Sequence, residues 1–199
     1  AVREMLAVAK GLLGWDPLEV CISGPAAKLQ QPEFGHPVLL IAGVAAWERL
    51  KLTAPESASR PGAVAGLDVG EYAALVAAGV LSFEDALRVV KAHGEAVAEA
   101  SKQPAQATLS VAGIRCRKLE TMCREVGDAA GQVCCITNEL FPKGATCGGT
   151  LEAMQMLEKV VKEGGALQAK LVNCGALHTP LMAPAAGRLR EALGEAAQK

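Results

Sequence analysis

The chain has 199 residues, with 20 basic and 21 acidic side chains and a formal net charge of −1 at pH 7. This balance gives no electrostatic reason to expect nucleic acid or an anionic membrane as a partner. No apolar run reaches the roughly 18 residues of a membrane span, so no transmembrane segment is predicted. Hydrophobic residues make up 51% of the chain and aromatic residues 3%. The chain is therefore expected to fold as one or two domains whose cores consist of Ala, Val and Leu.

The chain has seven cysteines, whose expected redox state indicates the cellular compartment. The chain shows no secretory signal, and Cys134 and Cys135 are adjacent in an apolar run, so we expect reduced, buried thiols. Cys116, Cys123 and Cys147 form no C-x-x-C pair, so neither a metal site nor a cofactor is predicted. These features predict an intracellular protein of the cytoplasm or of an organelle such as a plastid or mitochondrion.

The first hundred residues are predominantly helical in pattern. Hydrophobic periodicity predicts helices over residues 2–13, near 37–51 and from Ser82 to about Ala100. Ser82 has the features of a helix N-cap, because Asp85 supplies an acid at the third helical position. Between these helices, the small apolar run of residues 63–65 is predicted to end a buried strand.

From Ala105 the periodicity changes, and strands alternate with helices. The predicted strands are Thr108–Ala112, Gln132–Thr137, Lys143–Cys147 and Leu167–Val172, and the predicted helices are Arg115–Val126 and Thr150–Val161. This β-α-β-β-α-β order is typical of a ferredoxin-like fold. We therefore predict a ferredoxin-like α+β subdomain at 105–172. It would be inserted in an α/β domain of residues 1–104 plus 173–199, which ends in a helix near 180–193.

One stretch carries the pattern of a sharp strand-to-helix turn. Residues Gly66–Gly70 read Gly-Leu-Asp-Val-Gly, with glycines two positions before and after Asp68. This is the spacing of a nucleophile elbow, in which the central residue is usually Ser. The following helix directs its N–H groups toward whatever that central residue carries.

The elbow belongs to a longer resemblance. Gly66–Leu75 resembles the G-H-S-x-G-E-Y-A-A-L segment of malonyl-CoA:acyl-carrier-protein transacylases and polyketide-synthase acyltransferase domains. Asn173–Met182 resembles the S-G-A-F-H-T-P-L-M segment of that family, which places His178 at the catalytic His position. The resemblance implies a parallel-sheet acyltransferase-like domain with an inserted ferredoxin-like subdomain. The resemblance extends over nearly the whole of this chain, which corresponds to only the central part of a transacylase.

The resemblance also shows what has changed. Asp68 stands at the family's nucleophilic Ser position, and His93 at the position of the Arg that clamps the malonyl carboxylate. Asp68 is a weak nucleophile toward a thioester, and an imidazole cannot form a bidentate fork with a carboxylate. We expect Asp68 and His178 to form an ion pair in place of a nucleophile–base pair.

Several functions remain open at this stage. The favoured prediction is a catalytically inactive transacylase-like protein that serves as a structural or interaction subunit, with other protein subunits as partners. The alternatives are an active malonyl-CoA:acyl-carrier-protein transacylase of fatty-acid or polyketide synthesis, and a residual binder of acyl carrier protein or coenzyme A thioesters. A hydrolase that uses Asp68 as a nucleophile toward alkyl halides or epoxides is a further alternative, which the acyltransferase resemblance disfavours.

Overall fold

The computed structural model of the chain describes residues 2–102, 104–172 and 174–197. The helices are α1 (Val2–Leu13), α2 (Pro17–Ser23), α3 (Ala26–Leu29), α4 (Pro32–Thr53), α5 (Pro55–Ala58), α6 (Gly70–Ala77), α7 (Phe83–Ala100), α8 (Cys116–Ala130), α9 (Leu151–Glu163) and α10 (Ala183–Ala197), with a 3-10 turn at Pro180–Met182. The strands are β1 (Gln106–Ala112), β2 (Cys134–Phe141), β3 (Gly144–Thr150) and β4 (Gln168–Val172). None of the described helices is both long and apolar enough to cross a membrane.

The chain divides into two compact units. The helical unit comprises the described residues through Ala96 and those from Gly187 onward, and the sheet unit comprises Val97–Ala186. In the helical unit, α1, α4, α6 and α7 bury one shared core around Leu40, Leu87 and Val90. Gly43 allows helix α4 to lie close to α6, because a Cβ at this position would stand only 2.9 Å from the Ala73 side chain.

The sheet unit contains a four-stranded sheet in the order β2-β3-β1-β4, with every neighbouring pair antiparallel. Together with α8 and α9, this arrangement confirms the predicted β-α-β-β-α-β order. Its core joins fully buried Leu109 of β1 to Leu119 of α8 and Leu157 of α9. Each of these helices buries one apolar stripe, as their 3.6-residue periodicity predicts.

Local capping defines several element ends. The backbone N–H of Asp85 donates to Ser82 Oγ at 3.0 Å, which confirms the predicted N-cap of α7. Thr150 caps α9 by accepting from the Ala153 N–H at 3.4 Å. Gly131 ends α8 in the left-handed conformation that glycine adopts without strain.

Three expectations differ from the structure. Residues 63–65, predicted to end a buried strand, form an exposed loop, because no described strand pairs with them. Helix α4 begins at Pro32 rather than near residue 37, since Pro at the first helical position needs no backbone N–H. All strands of the described residues lie in the antiparallel sheet, so the parallel sheet implied by the resemblance is not represented in them.

Candidate active site

The elbow turns sharply between the exposed loop and helix α6. The Gly70 N–H donates to the Leu67 carbonyl and the Glu71 N–H to the Asp68 carbonyl, both at 3.0 Å. A Cβ on Gly66 would clash with the Gly70 carbonyl group, so the turn requires glycine there. Asp68 is exposed at the tip with a φ of 54°. A positive φ in a non-glycine residue is a strained conformation that the surrounding turn must impose.

Two buried side chains hold the elbow against the helical unit. Val69 and Tyr72 follow the tip directly and lie in the shared core of this unit. Their burial fixes the first turn of α6, which begins at Gly70. The elbow therefore presents Asp68 at the positive end of a short helix, whose N-terminal N–H groups favour a negative charge.

His93, which is predicted to match the family's Arg, has two ring side chains beside it. The Tyr72 hydroxyl lies 3.2 Å from His93 Nδ1, and the centroid of the His36 ring lies 5.0 Å from that of the His93 ring, with the two rings tilted by 53°. Gly94 permits this contact between α7 and α4, because a Cβ there would stand 2.5 Å from the Pro32 carbonyl oxygen. We call Tyr72, His93 and His36 the histidine cluster.

The environment of the histidine cluster disfavours charge. Burial, followed by the neighbouring His93, lowers the pKa of His36 from 6.5 to about 4, although the Asp68 carboxylate acts in the opposite direction. Burial, followed by the Glu71 and Asp68 carboxylates, raises the pKa of Tyr72 to about 12. His36 is therefore neutral at pH 7. The Tyr72 hydroxyl keeps its proton and can donate a hydrogen bond to His93 Nδ1.

Helix α4 also buries two polar atoms that have no hydrogen-bond partner among the described residues, Glu33 Oε2 and His36 Nδ1. They lie three positions apart, so they share one side of the helix. Unsatisfied buried polar atoms cost about 1–3 kcal/mol each. Their presence here indicates that this corner of the helical unit is polar where the rest of its core is apolar.

His178 lies in the sheet unit, on the loop after β4. Asn173 falls outside the described residues, and the loop is described from Cys174 onward. Thr179, which is buried, donates from Oγ1 to the Ala176 carbonyl at 2.6 Å, and Ala176 N–H donates to Gln106 Oε1 at 2.8 Å. These bonds tie the loop to the start of β1. They leave His178 exposed with a φ of 59°.

Among the described non-glycine residues, Asp68 and His178 have a positive φ. The two positions that the sequence singled out as nucleophile and base are thus the two strained ones. Strain of this kind clusters at functional sites. Asp68 and His93 lie in the helical unit and His178 in the sheet unit, and each is described within its own unit.

The sheet unit has an open cleft of its own, with a volume of 1570 Å³. It is lined by α8, β2 and the start of α9, and none of Asp68, His93 and His178 contributes to it. Within the part of the chain that the structure describes, no group of His, Cys, Asp and Glu side chains could hold a metal ion. The three predicted site residues therefore lie outside this cleft, at the elbow, in the histidine cluster and on the His178 loop.

Comparison with known proteins identifies the family of the chain. The acyl transferase domain family matches residues 2–199. This chain belongs to that family. The mitochondrial malonyl-CoA-acyl carrier protein transacylase of Mus musculus is 36% identical over 97% of the chain and 52% of the mouse protein. The malonyl CoA-acyl carrier protein transacylase of Escherichia coli K12 is 32% identical over 94% of the chain and 60% of its own length.

Solved structures of the acyl transferase family agree. The malonyl CoA-acyl carrier protein transacylase of Coxiella burnetii matches with a TM-score of 0.87 at 32% identity, covering 98% of this chain and 60% of that one. A malonyl-transacylase in complex with a type II polyketide-synthase acyl-carrier protein matches with a TM-score of 0.88 at 30% identity, covering 98% and 62%. The predicted acyltransferase-like fold with an inserted ferredoxin-like subdomain is confirmed. The chain spans roughly half to three fifths of the length of these relatives.

The sequence pointed to Asp68, His93 and His178 but missed the histidine cluster as a unit. From the sequence, His36 is an ordinary residue at a helix start and Tyr72 is part of the elbow motif. A signal was present, because the residues around Pro37 resemble a T-E-Y-x-Q-P-A-L segment of the family, in which His36 is at the Gln position, just as His93 is predicted to be at the Arg position. Two histidines at two substituted family positions could have indicated that they are neighbours.

Proposed function

We propose that this acyl transferase family member is catalytically inactive and serves as a structural or interaction subunit of a larger assembly. The observation that carries the proposal is Asp68 at the strained tip of an otherwise intact elbow, with a φ of 54°. The elbow geometry that normally presents a nucleophile here presents a carboxylate.

A carboxylate at this tip is poorly suited to acyl transfer. In the family mechanism a His removes the Ser proton, and the resulting alkoxide attacks the thioester. Asp68 has no hydroxyl to activate, and its attack would form a high-energy mixed anhydride. Loss of the nucleophile typically costs several orders of magnitude in rate, which supports the inactive alternative.

The histidine cluster supports the same conclusion. A malonyl carboxylate needs a cation, and an Arg fork supplies one with two parallel hydrogen bonds. His93 shares a hydrogen bond with Tyr72, and its neighbour His36 is neutral at pH 7. The Asp68 carboxylate would in addition repel an incoming malonyl group.

Two subordinate proposals follow from the relatives. One solved relative is in complex with an acyl-carrier protein, so residual binding of that protein or of a coenzyme A thioester is the second candidate. The names of the mouse and human relatives include the word mitochondrial. We propose an intracellular location for this chain, with the mitochondrion among the candidate compartments.

A malonyl-transfer assay tests the inactive state. The purified chain is incubated with radiolabelled malonyl-CoA and an acyl carrier protein, and label on both proteins is measured. The E. coli relative serves as the positive control. We expect no transfer by the chain above the uncatalysed background, and none by Asp68→Ser, since the Arg clamp would still be missing.

The outcomes separate the alternatives. Transfer by the unaltered chain within about tenfold of the positive control would show an active transacylase and end the proposal. Transfer by Asp68→Ser alone would leave the inactivity standing but show that the chain is one substitution from an enzyme. Asp68→Asn, which removes the charge without adding a nucleophile, is the matched control.

The assembly role needs a separate measurement. Native mass spectrometry of the tagged chain, isolated from its own cells, should find a protein partner at a fixed stoichiometry. Isolation of the chain as a monomer under several gentle conditions would contradict this part of the proposal.

A further inference from the structure

The open cleft of the sheet unit follows the outer edge of strand β2. Residues 133–139 all line the cleft, although alternate side chains of a strand point to opposite faces of the sheet. Consecutive residues can share one wall only through their backbone edge, and β2 is an edge strand of the sheet. Another wall is one face of α8, whose lining residues are spaced by three and four positions. We call the space between residues 133–139 and this face of α8 the β2 groove.

The first residues of β2 have backbone groups that point outward from the sheet. The Thr150 N–H donates to the Val133 carbonyl at 3.1 Å, so these residues form a hydrogen-bonded pair of the antiparallel ladder. Such pairs alternate with pairs whose N–H and C=O groups point away from the neighbouring strand. The register is regular from Cys134 to Ile136, so the backbone groups of these two residues point outward. Among the described residues, none outside the sheet bonds to them. This edge is therefore a template for another strand.

The β2 groove also concentrates negative charge. Its lining includes four carboxylates and one guanidinium, which gives a net charge of −3, whereas the whole chain carries −1. The carboxylates belong to Glu120, Asp128, Glu139 and Glu152, and the guanidinium to Arg124. All five side chains are exposed, and none of them forms an ion pair with another residue that the structure describes. A cleft lined by one sign of charge attracts the opposite sign.

We propose that the β2 groove is an interaction surface for a basic, extended segment of a partner polypeptide. The segment pairs with the outward backbone groups of β2 and places Lys or Arg side chains beside the carboxylates of the groove. This inference rests on the interaction role in the proposed function, and it identifies the chemistry of the partner. In strand addition the main-chain hydrogen bonds provide affinity, and here the charges provide selectivity. An anionic partner is disfavoured, because the carboxylates would repel it.

Irregularities in β2 limit the length of this pairing. The register of β2 against β3 shifts between Ile136 and Asn138, and again between Glu139 and Phe141. Bulges of this kind interrupt a ladder and bend the strand. The pairing is therefore confined to Cys134–Ile136, and the carboxylates farther along the groove contribute through charge alone. Because the pairing is short, charge should supply a measurable share of the affinity, and binding should weaken as the salt concentration rises.

Amide exchange with water, measured by NMR, tests this inference. The probe is a synthetic peptide of alternating Lys and Thr, added to the full chain, because Thr favours strands and alternation places every Lys on one face. At saturating probe, the N–H groups of Cys134 and Ile136 should exchange at least about tenfold more slowly, whereas exchange in α5 should stay unchanged. No slowing at about 1 mM probe would overturn the proposal. Equal slowing by a peptide of alternating Glu and Thr would also overturn it.

A modified probe separates backbone pairing from attraction by charge. The same Lys-Thr peptide with a methyl group on every backbone nitrogen keeps all of its charges but has no backbone N–H to donate. It should leave the exchange of Cys134 and Ile136 unchanged, because strand addition needs these donors. Equal slowing by the methylated and unmethylated peptides would show attraction by charge alone and would overturn the strand pairing.

Two double variants of the chain locate the contribution of charge. Glu120→Gln with Asp128→Asn removes two carboxylates that line the β2 groove. Glu125→Gln with Glu163→Gln is the matched control, because these residues of α8 and α9 are also exposed but do not line the groove. The first variant should bind the Lys-Thr peptide about tenfold more weakly than the unaltered chain, and the control should bind it equally well. Equal affinities of the two variants would overturn the assignment of a basic partner.

Other occupants give distinct results. Slow exchange that appears without the probe and increases with protein concentration would identify a second copy of this chain as the occupant and overturn the assignment to a partner. Binding of spermidine as tight as that of the peptide would indicate a small polyamine instead of a polypeptide. Malonyl transfer by the chain would end the proposed inactivity but leave the peptide results standing, and a failure of peptide binding would leave the inactivity standing. The two proposals therefore fail in different measurements.

Discussion

The ferredoxin-like subdomain and the elbow region differ in how completely their strands and helices are paired and packed within the described residues. In the subdomain, β1 and β3 are paired on both sides, and both helices bury their apolar stripes. At the elbow, the turn and α6 are well packed, but the exposed loop of residues 62–67 before them pairs with no strand of the described residues. The difference shows that a short sequence can determine a turn through its glycine spacing. A strand, in contrast, also depends on neighbouring strands, which a short sequence does not contain.

The largest expected effect separates the two regions directly. Leu109→Ala removes a fully buried side chain of β1, and the cavity should lower the free energy of unfolding by about 3 kcal/mol. Leu67→Ala, in the exposed loop before the elbow, should cost less than about 0.5 kcal/mol because this side chain is 83% exposed to water. Urea denaturation of both variants measures the difference, and equal losses would contradict the contrast.

The next effect concerns His36 and depends on pH. Folded His36 takes up a proton near pH 4, but the unfolded imidazole does so near its ordinary pKa of 6.5. As the pH falls from 6.5 toward 4, the unfolded state therefore gains protons first and stability is lost, by up to about 3 kcal/mol. His36→Gln should remove this part of the pH dependence of unfolding, which the wild-type chain should retain.

A third prediction tests whether the elbow is a tight turn. Gly66→Ala should lower the free energy of unfolding by about 2 kcal/mol, because its Cβ would clash with the Gly70 carbonyl group. Gly70→Ala is the matched control, since a Cβ there meets no atom within 4 Å and Ala favours the helix that begins at this residue. Indistinguishable thermal unfolding of the two variants would mean that the turn is loose.

The smallest effect concerns the histidine cluster. Tyr72→Phe removes the 3.2 Å hydrogen bond to His93 Nδ1 and should cost about 1 kcal/mol. Nitrogen chemical shifts of His93 should change at the same time, because Nδ1 loses its partner. Unchanged His93 shifts in the variant would show that the hydroxyl does not act on this ring.

The sequence was most informative where structure depends on local patterns. The strand and helix order of 105–172 could be predicted, because period-two and 3.6-residue apolar spacing and the Thr150 cap are properties of contiguous residues. The elbow could be predicted from Gly66 and Gly70. The strand at 63–65 could not be judged correctly, because its formation depends on pairing partners that the described residues lack.

The candidate site was predictable in position but not in environment. Matching motifs identified Asp68, His93 and His178, although none of these motifs reveals that the His36 ring lies beside the His93 ring. That contact depends on the crossing of α4 and α7 at Gly94, which joins residues nearly sixty positions apart. Helix crossings of this kind are set by tertiary packing, which single-sequence periodicity does not report.

The distribution of thiols has a practical consequence for spectroscopy. Cys21 in the helical unit and Cys174 in the sheet unit are exposed, whereas Cys123 and Cys147 are buried 3.7 Å apart. Hydrogen bonding with Cys123, followed by burial, raises the pKa of Cys134, so this thiol should react slowly with maleimides. Cys116 and Cys135 of the sheet unit are partly exposed, so their replacement by Ser should leave Cys21 and Cys174 as the preferred sites for one fluorophore on each unit. Energy transfer between the two dyes would then measure the distance between the two labelled thiols.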